Sequence, residues 1–206
     1  MSGVTMQSDR QSHATTLPIL GVVAGTVLLA VAAGRYPGGY DWLDQSLSSL
    51  FQPLARNGSP NAARMLAAAG IVACCASLGL VFHALSRRGP TPAHRKAIQI
   101  GGVGSMVYAA LVVTPMHDIM VWIALAFFVA AMVTIFHWLL TERRYGMVAA
   151  GTLCLSLTLS NAIIYAFNLF YGFLPIVQKL GTVSWVLWLL VLYWRDGGAR
   201  PGRAAA

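Results

Sequence analysis

His117 and Asp118 stand side by side in Thr114-Pro115-Met116-His117-Asp118, a short joint between two strongly apolar stretches, 97–113 and 119–140. A neutral imidazole beside a carboxylate supplies a proton acceptor, a negative charge and two metal-ligand types. Lipid penalises such groups unless water, an ion or a polar ligand meets them, which makes them functional candidates. They also have a purely structural use, because an Asp just ahead of a helix caps it and a Pro stops the helix before it. Metal chemistry asks for three or four ligands. This side of the chain offers His117 with Asp41, Asp44 and Asp118, in no HxxxH or HExxH spacing, and no metal is expected.

A second constellation lies in the fifth apolar stretch. Thr158, Asn161, Tyr165 and Asn168 recur at intervals of three, four and three, which is one face of a helix. Polar groups in hydrocarbon must find partners or water. These four serve either as hydrogen bonds between helices or as the polar wall of a cavity, with Asn161 roughly 10 Å deeper than Asn168. Lys179, after Gln178, falls at the start of the last apolar stretch on the same side. It either snorkels to the headgroups or neutralises Asp118, Asp41 or Asp44 in a shared pocket.

The elements that must position these groups are six apolar stretches of bilayer-crossing length, at about 17–34, 61–85, 97–113, 119–140, 146–172 and 175–194. Of 206 residues, 57% are hydrophobic and 10% charged, against the roughly 25% charged that covers a soluble surface. Only helices or closed barrels satisfy a backbone in lipid. The expected fold is therefore all-α, a six-helix transmembrane bundle in one domain (17–194), with cytoplasmic tails at 1–16 (mobile) and 195–206 (disordered). Ala30-Val31-Ala32 resembles a signal cleavage site, but the weak basic region ahead of it and the length of the apolar run favour a retained span.

The net charge of +8 would suit nucleic acid, yet its placement excludes that partner. Ten of the fourteen basic residues (Arg10, Arg87, Arg88, Arg95, Lys96, Arg143, Arg144, Arg195, Arg200 and Arg203) fall on one side of a six-span chain. That asymmetry puts both termini in the cytoplasm and the protein in the inner membrane. The partners implied are membrane lipids, and a second copy or another membrane protein through the small residues Gly21, Gly25, Gly101, Gly102, Gly104 and Ser105, which permit close helix contact.

The longest polar interval, 35–60, opens with Gly38-Gly39, a sharp turn, and then Asp41, which would cap a short amphipathic helix with Asp44 in its first turn. Leu43, Leu47, Leu50 and Phe51, with Leu54 at the exit, would share its apolar face, making an interfacial segment or a cover over the bundle. Cys74, Cys75 and Cys154 lie inside spans as small packing residues. His83 and His137 stand near the cytoplasmic ends of their spans, where haem ligands sit in some membrane cytochromes. Only His117 faces them from the other side, so a two-haem arrangement fails, the two read as polar interface residues, and no cofactor is expected.

Tyr36-Pro37-Gly38-Gly39-Tyr40 after the first span, Asp44-Gln45-Ser46-Leu47-Ser48-Ser49-Leu50, then Asn57-Gly58-Ser59-Pro60 and Thr114-Pro115 with a His nearby form a familiar series. In these motifs the chain resembles the bacterial six-span family known as domain of unknown function 998, which is similar in layout to the Frag1/DRAM/Sfk1 membrane proteins. The resemblance implies a six-helix bundle and no established reaction. It departs from the family pattern in having His117-Asp118 directly after Met116. The expectation is a protein that binds or moves a lipid or small amphipathic molecule under the outer loop. A hydrolase using His117 with Asp118 or Asp41, and a structural or assembly partner, are the alternatives.

Overall fold

A computed structural model describes residues 3–197, with side chains from 16 to 195. Helix α1 (Gly3–Gly34) is followed by the 36–60 loop, then α2 (Arg64–Ser86). The third span is built in pieces: α3 (Pro92–Ile98), a π-turn at Gln99–Val103, α4 (Gly104–Ala110) and a 3-10 turn at Leu111–Val113. Helices α5 (His117–Thr141), α6 (Tyr145–Phe167) and α7 (Leu174–Gly197) complete the chain. Six segments, from Thr16–Gly34 to Tyr171–Arg195, are long and apolar enough to cross a membrane. Within 1–16, the stretch expected as a mobile tail, the chain is helical from Gly3 onward and continuous with the first span. The expected tail at 195–206 lies, beyond Gly197, outside the described residues.

Small residues decide how the first two spans meet. A side chain added at Gly25 would put its Cβ 2.6 Å from the carbonyl oxygen of Gly70, and one at Gly21 would strike Ser77. The GxxxG spacing is thus used within the chain, α1 against α2, as close-packed small residues are in lipid. The π-turn glycines do the same on the third span: Gly102 lies against the Phe82 ring and Gly101 against the backbone of Phe127 and Ala131.

The buried core gathers at one end of the bundle, the end carrying the 87–91 and 142–144 connections. Phe82, Leu85, Ile98, Met132, Ile135, Leu139, Leu189 and Leu192 are fully buried there. A smaller cluster at the other end, Ala32, Ala33, Tyr36, Tyr40, Leu50, Ala55, Ala63 and Ala67, fastens the 36–60 loop to the tops of α1 and α2. Between α4, α5, α6 and α7 at this loop end, the large core side chains give out.

The loop turns at Gly38 and Gly39, both with φ above +80°, backbone that glycine adopts without strain. It does not form the expected amphipathic α-helix. Asp41 closes a tight turn, its Oδ1 accepting from Leu43 N at 2.8 Å and Asp44 N at 3.1 Å. The Gln45 carbonyl, which an α-helix would give to Ser49, accepts instead from the Tyr40 hydroxyl and from Lys179. Ser49 N turns to Ser46 O, and a single 3-10 turn, Leu47–Phe51, results. The expected apolar face is split: Leu50 is buried, whereas Leu43 is 65% exposed and Leu54 58%.

Candidate functional site

A cavity of about 280 Å³ opens at the loop end between the last four spans. The third span contributes Ser105, Met106, Ala109 and Val112 to its wall, and α5 contributes His117, Asp118, Val121, Trp122, Leu125 and Phe128. Thr158, Asn161, Ala162 and Tyr165 come from α6, and Leu174, Gln178, Thr182 and Trp185 from α7. Ser46 and Ser48 of the loop, with Tyr171, close the top.

His117 and Asp118 occupy the rim. The expected cap is not made: Met116 stands at the N-cap position, and Asp118 lies inside the first turn of α5 without bonding a backbone N–H. The helix begins at His117, two residues earlier than a cap at Asp118 would require. The His117 ring is tied back by a 2.6 Å hydrogen bond from Nδ1 to the Val112 carbonyl. Since a carbonyl only accepts, Nδ1 carries a proton and donates it to this bond. Asp118 instead receives the Tyr165 hydroxyl at 2.7 Å, a charge-assisted bond joining α5 to α6 across the rim.

Asn161 lies one turn below Tyr165 on α6. Its Oδ1 is buried and has no hydrogen-bond partner. Its neighbour on the stripe, Thr158, spends its hydroxyl on the Cys154 carbonyl at 3.0 Å. Three of the four expected stripe residues therefore line the cavity, and Asn168 does not. It takes the left-handed conformation (φ 53°, ψ 28°) and ends α6, a position that Asn tolerates better than most residues. The fifth span breaks here and not near 172, and Asn168 is exposed outside the cavity.

Lys179, Asp41 and Asp44 also stay out of the cavity. Lys179 reaches up to the carbonyls of Gln45 and Pro175, with its ammonium 5.5 Å from the centre of the Tyr40 ring. One residue earlier, Gln178 Oε1 accepts from Leu47 N at 2.8 Å. The two neighbours on α7 thus clamp the loop segment 45–47 over the cavity. Asp41 is held below the usual carboxylate range by the N–H groups of Leu43 and Asp44. Tyr40 is pushed up to about 12, first by burial and then by Tyr36 and Asp41.

Trp122, Trp185 and Thr182 were not foreseen in this wall, and Ser105, expected only as a small residue for close helix contact, and Gln178 line it as well. Gln178, Thr182 and Trp185 recur at four and three residues along α7, the spacing that marked the α6 stripe. At the opposite end, His137 stacks on His94, with ring nitrogens 2.9 Å apart. Among the described residues no three His, Cys, Asp or Glu side chains converge to hold a metal ion.

Fold and site together define an all-α, six-span integral membrane protein with a polar-rimmed cavity at one end of the bundle. Comparison with protein-family models, curated proteins and solved structures finds no match to the chain.

Proposed function

We propose that this protein binds a lipid or small amphipathic molecule in the cavity beneath the 36–60 loop. It does so in the inner membrane, with both termini in the cytoplasm and the cavity facing outward. The orientation is supported by the basic residues: among the described side chains Arg87, Arg88, Arg95, Lys96, Arg143, Arg144 and Arg195 belong to the side away from the loop, against Arg35, Arg56, Arg64 and Lys179 on the loop side.

One observation carries the binding reading: Asn161 Oδ1, buried and unpartnered, in the wall of a mainly apolar cavity. Leaving such a group without a partner costs about 1–3 kcal/mol, a cost removed by a ligand bringing a polar group to that depth. Around it, Met106, Leu125 and Phe128 accept an apolar body, and the His117–Asp118 rim accepts a polar head. Concave, mostly apolar walls with a few convergent polar groups are the ordinary make-up of a small-molecule site.

The test is fluorescence quenching of Trp122 and Trp185 in nanodiscs by a neutral-headed alkyl probe carrying a nitroxide. Saturable quenching is expected, with most of it absent from a Trp122→Phe/Trp185→Phe variant and a weaker apparent affinity in Asn161→Leu. Linear quenching, indifferent to both variants, would mean the probe is reading the bilayer and not the cavity.

A further inference from the structure

The charge inventory of the cavity narrows what its polar end can hold. Asp118 is the one formally charged side chain in the wall; no Lys, Arg or Glu lines it. No Lys or Arg nitrogen among the described residues lies within 4.0 Å of its carboxylate. The nearby candidate, Lys179, is engaged by the Gln45 and Pro175 carbonyls. A carboxylate at the edge of a low-dielectric region, with a single hydroxyl as its partner, is electrostatically unbalanced.

The hydrogen-bond inventory points the same way. The Tyr165 hydroxyl donates to the Asp118 carboxylate, the Thr158 hydroxyl to the Cys154 carbonyl, and the His117 Nδ1–H to the Val112 carbonyl. The second Asp118 oxygen and Asn161 Oδ1 are left without a protein donor, beside neutral donor groups on Gln178, Thr182, Trp122 and Trp185 in the same wall. An anion would find only neutral donors here, and would find them beside the Asp118 charge. A group that brings N–H protons and a positive charge finds both partners and a counter-charge.

The walls agree with the rim. Trp122, Tyr165 and Tyr171 are 42%, 38% and 51% exposed around the mouth, with Phe128 and Trp185 deeper in. Aromatic faces attract cations, Trp most strongly, and the attraction grows as water is excluded. A volume of about 280 Å³ equals roughly nine waters at ~30 Å³ each, enough for a head and a few methylenes.

We propose that the cavity recognises an amphipath through a primary ammonium head, seated between the Asp118 carboxylate, Asn161 Oδ1 and the aromatic mouth. This rests on the reading of the cavity as an amphipath site. The same chemistry is offered by a free amphipathic amine and by the ethanolamine head of a phospholipid.

The experiment is displacement of the neutral nitroxide probe, in choline-lipid nanodiscs identical in every arm. The competitors are an alkylammonium, the alcohol and the sulfate of the same chain length, and an ethanolamine phospholipid. Exchanging a neutral for a charge-assisted hydrogen bond is worth roughly tenfold in affinity. The alkylammonium is expected to displace the probe at a roughly tenfold lower concentration than the alcohol, with the sulfate weakest. In Asp118→Asn, which keeps the side-chain shape and an acceptor for Tyr165, the lead of the alkylammonium over the alcohol is expected to disappear. Displacement by the phospholipid as well as by the free amine assigns a headgroup source; displacement by the amine alone assigns a free amine. Equal potency of ammonium and alcohol in the wild type, or a lead for the sulfate, overturns the ammonium proposal and leaves the amphipath site standing. A probe that never saturates in the wild type removes the amphipath reading itself. Should Asp118→Asn fail to fold, the wild-type ranking decides.

Discussion

At the scale of single residues, Asn161 separates stability from binding. Its orphaned Oδ1 costs the free protein stability, so Asn161→Leu, similar in size and apolar, is expected to raise stability by about 1–2 kcal/mol. Thermal unfolding in detergent checks this, and the same variant is expected to bind the alkyl probe more weakly. Tyr165→Phe has the opposite sign. It removes the one side-chain hydrogen bond found at Asp118 among the described residues and is expected to destabilise by about 1–2 kcal/mol. Tyr40 gives a pH dependence. Its folded pKa of about 12 stands above the ordinary value of 10.0, so its contribution is complete below pH 10 and is lost as the pH rises through 12. Trp42, whose ring centre lies 4.9 Å from that of Tyr40, is expected to change its emission in this window together with tyrosinate absorbance. Asp41, with its lowered pKa, works at the other end: its contribution is present above the unfolded value and lost as the pH falls through the folded one.

At the scale of elements, the loop and the first helix pair show two kinds of attachment. The loop is held by a few directed bonds from α7, through Gln178 and Lys179. A Gln178→Ala/Lys179→Met variant is expected to raise amide exchange across 45–51 at least several-fold and to leave the spans protected, as local opening without global unfolding. The α1–α2 contact is held by the absence of side chains. Gly25→Val would set a Cβ 2.6 Å from the Gly70 carbonyl, backbone that cannot yield, and is expected to cost about 1–3 kcal/mol or more. Gly34→Ala, where nothing lies within 4 Å of the added carbon, is the control and is expected to be neutral or slightly stabilising. These two attachments differ in how far the amino-acid order announced them. The glycine spacing is local, so the close packing could be read directly. The clamp on Leu47 comes from Gln178, 131 residues away, and no periodicity within 35–60 could reveal which carbonyls were already taken.

At the scale of the whole molecule, the six spans were legible because lipid demands about 20 apolar residues for each crossing, a signal too long to mistake. Part of the cavity was legible as well: Thr158, Asn161 and Tyr165 keep the helical period and share its wall. The series failed at Asn168, where the helix ends in a left-handed residue, because periodicity marks a face and not its limit. Pairing Lys179 with Asp118 had charge in its favour but no geometry, and the ammonium went to backbone oxygens instead. Trp122 and Trp185 were hidden for another reason, since aromatic residues in spans read as lipid-facing by default. The orientation of the molecule is checked by single cysteines at two exposed positions, Asn57→Cys and Thr91→Cys. An impermeant thiol reagent is expected to label the first from outside intact cells and the second only after permeabilisation. The native Cys74, Cys75 and Cys154, all within spans, are expected to stay unmodified.

The π-turn at Gln99–Val103 sets the third span apart from its neighbours. Counted against a regular helix, it is one surplus residue, and one residue is about 100° of rotation at 3.6 per turn. Everything after it is aimed by that offset. Gly101 and Gly102 within the turn meet Ala131 and Phe82, while Ser105, Met106, Ala109 and Val112 after it face the cavity. Deleting the single residue Val103 would restore a uniform helix and swing this wall off the cavity without altering any side chain that lines it. The length of one turn, and not only the chemistry of the lining, thus sets the bore of the site.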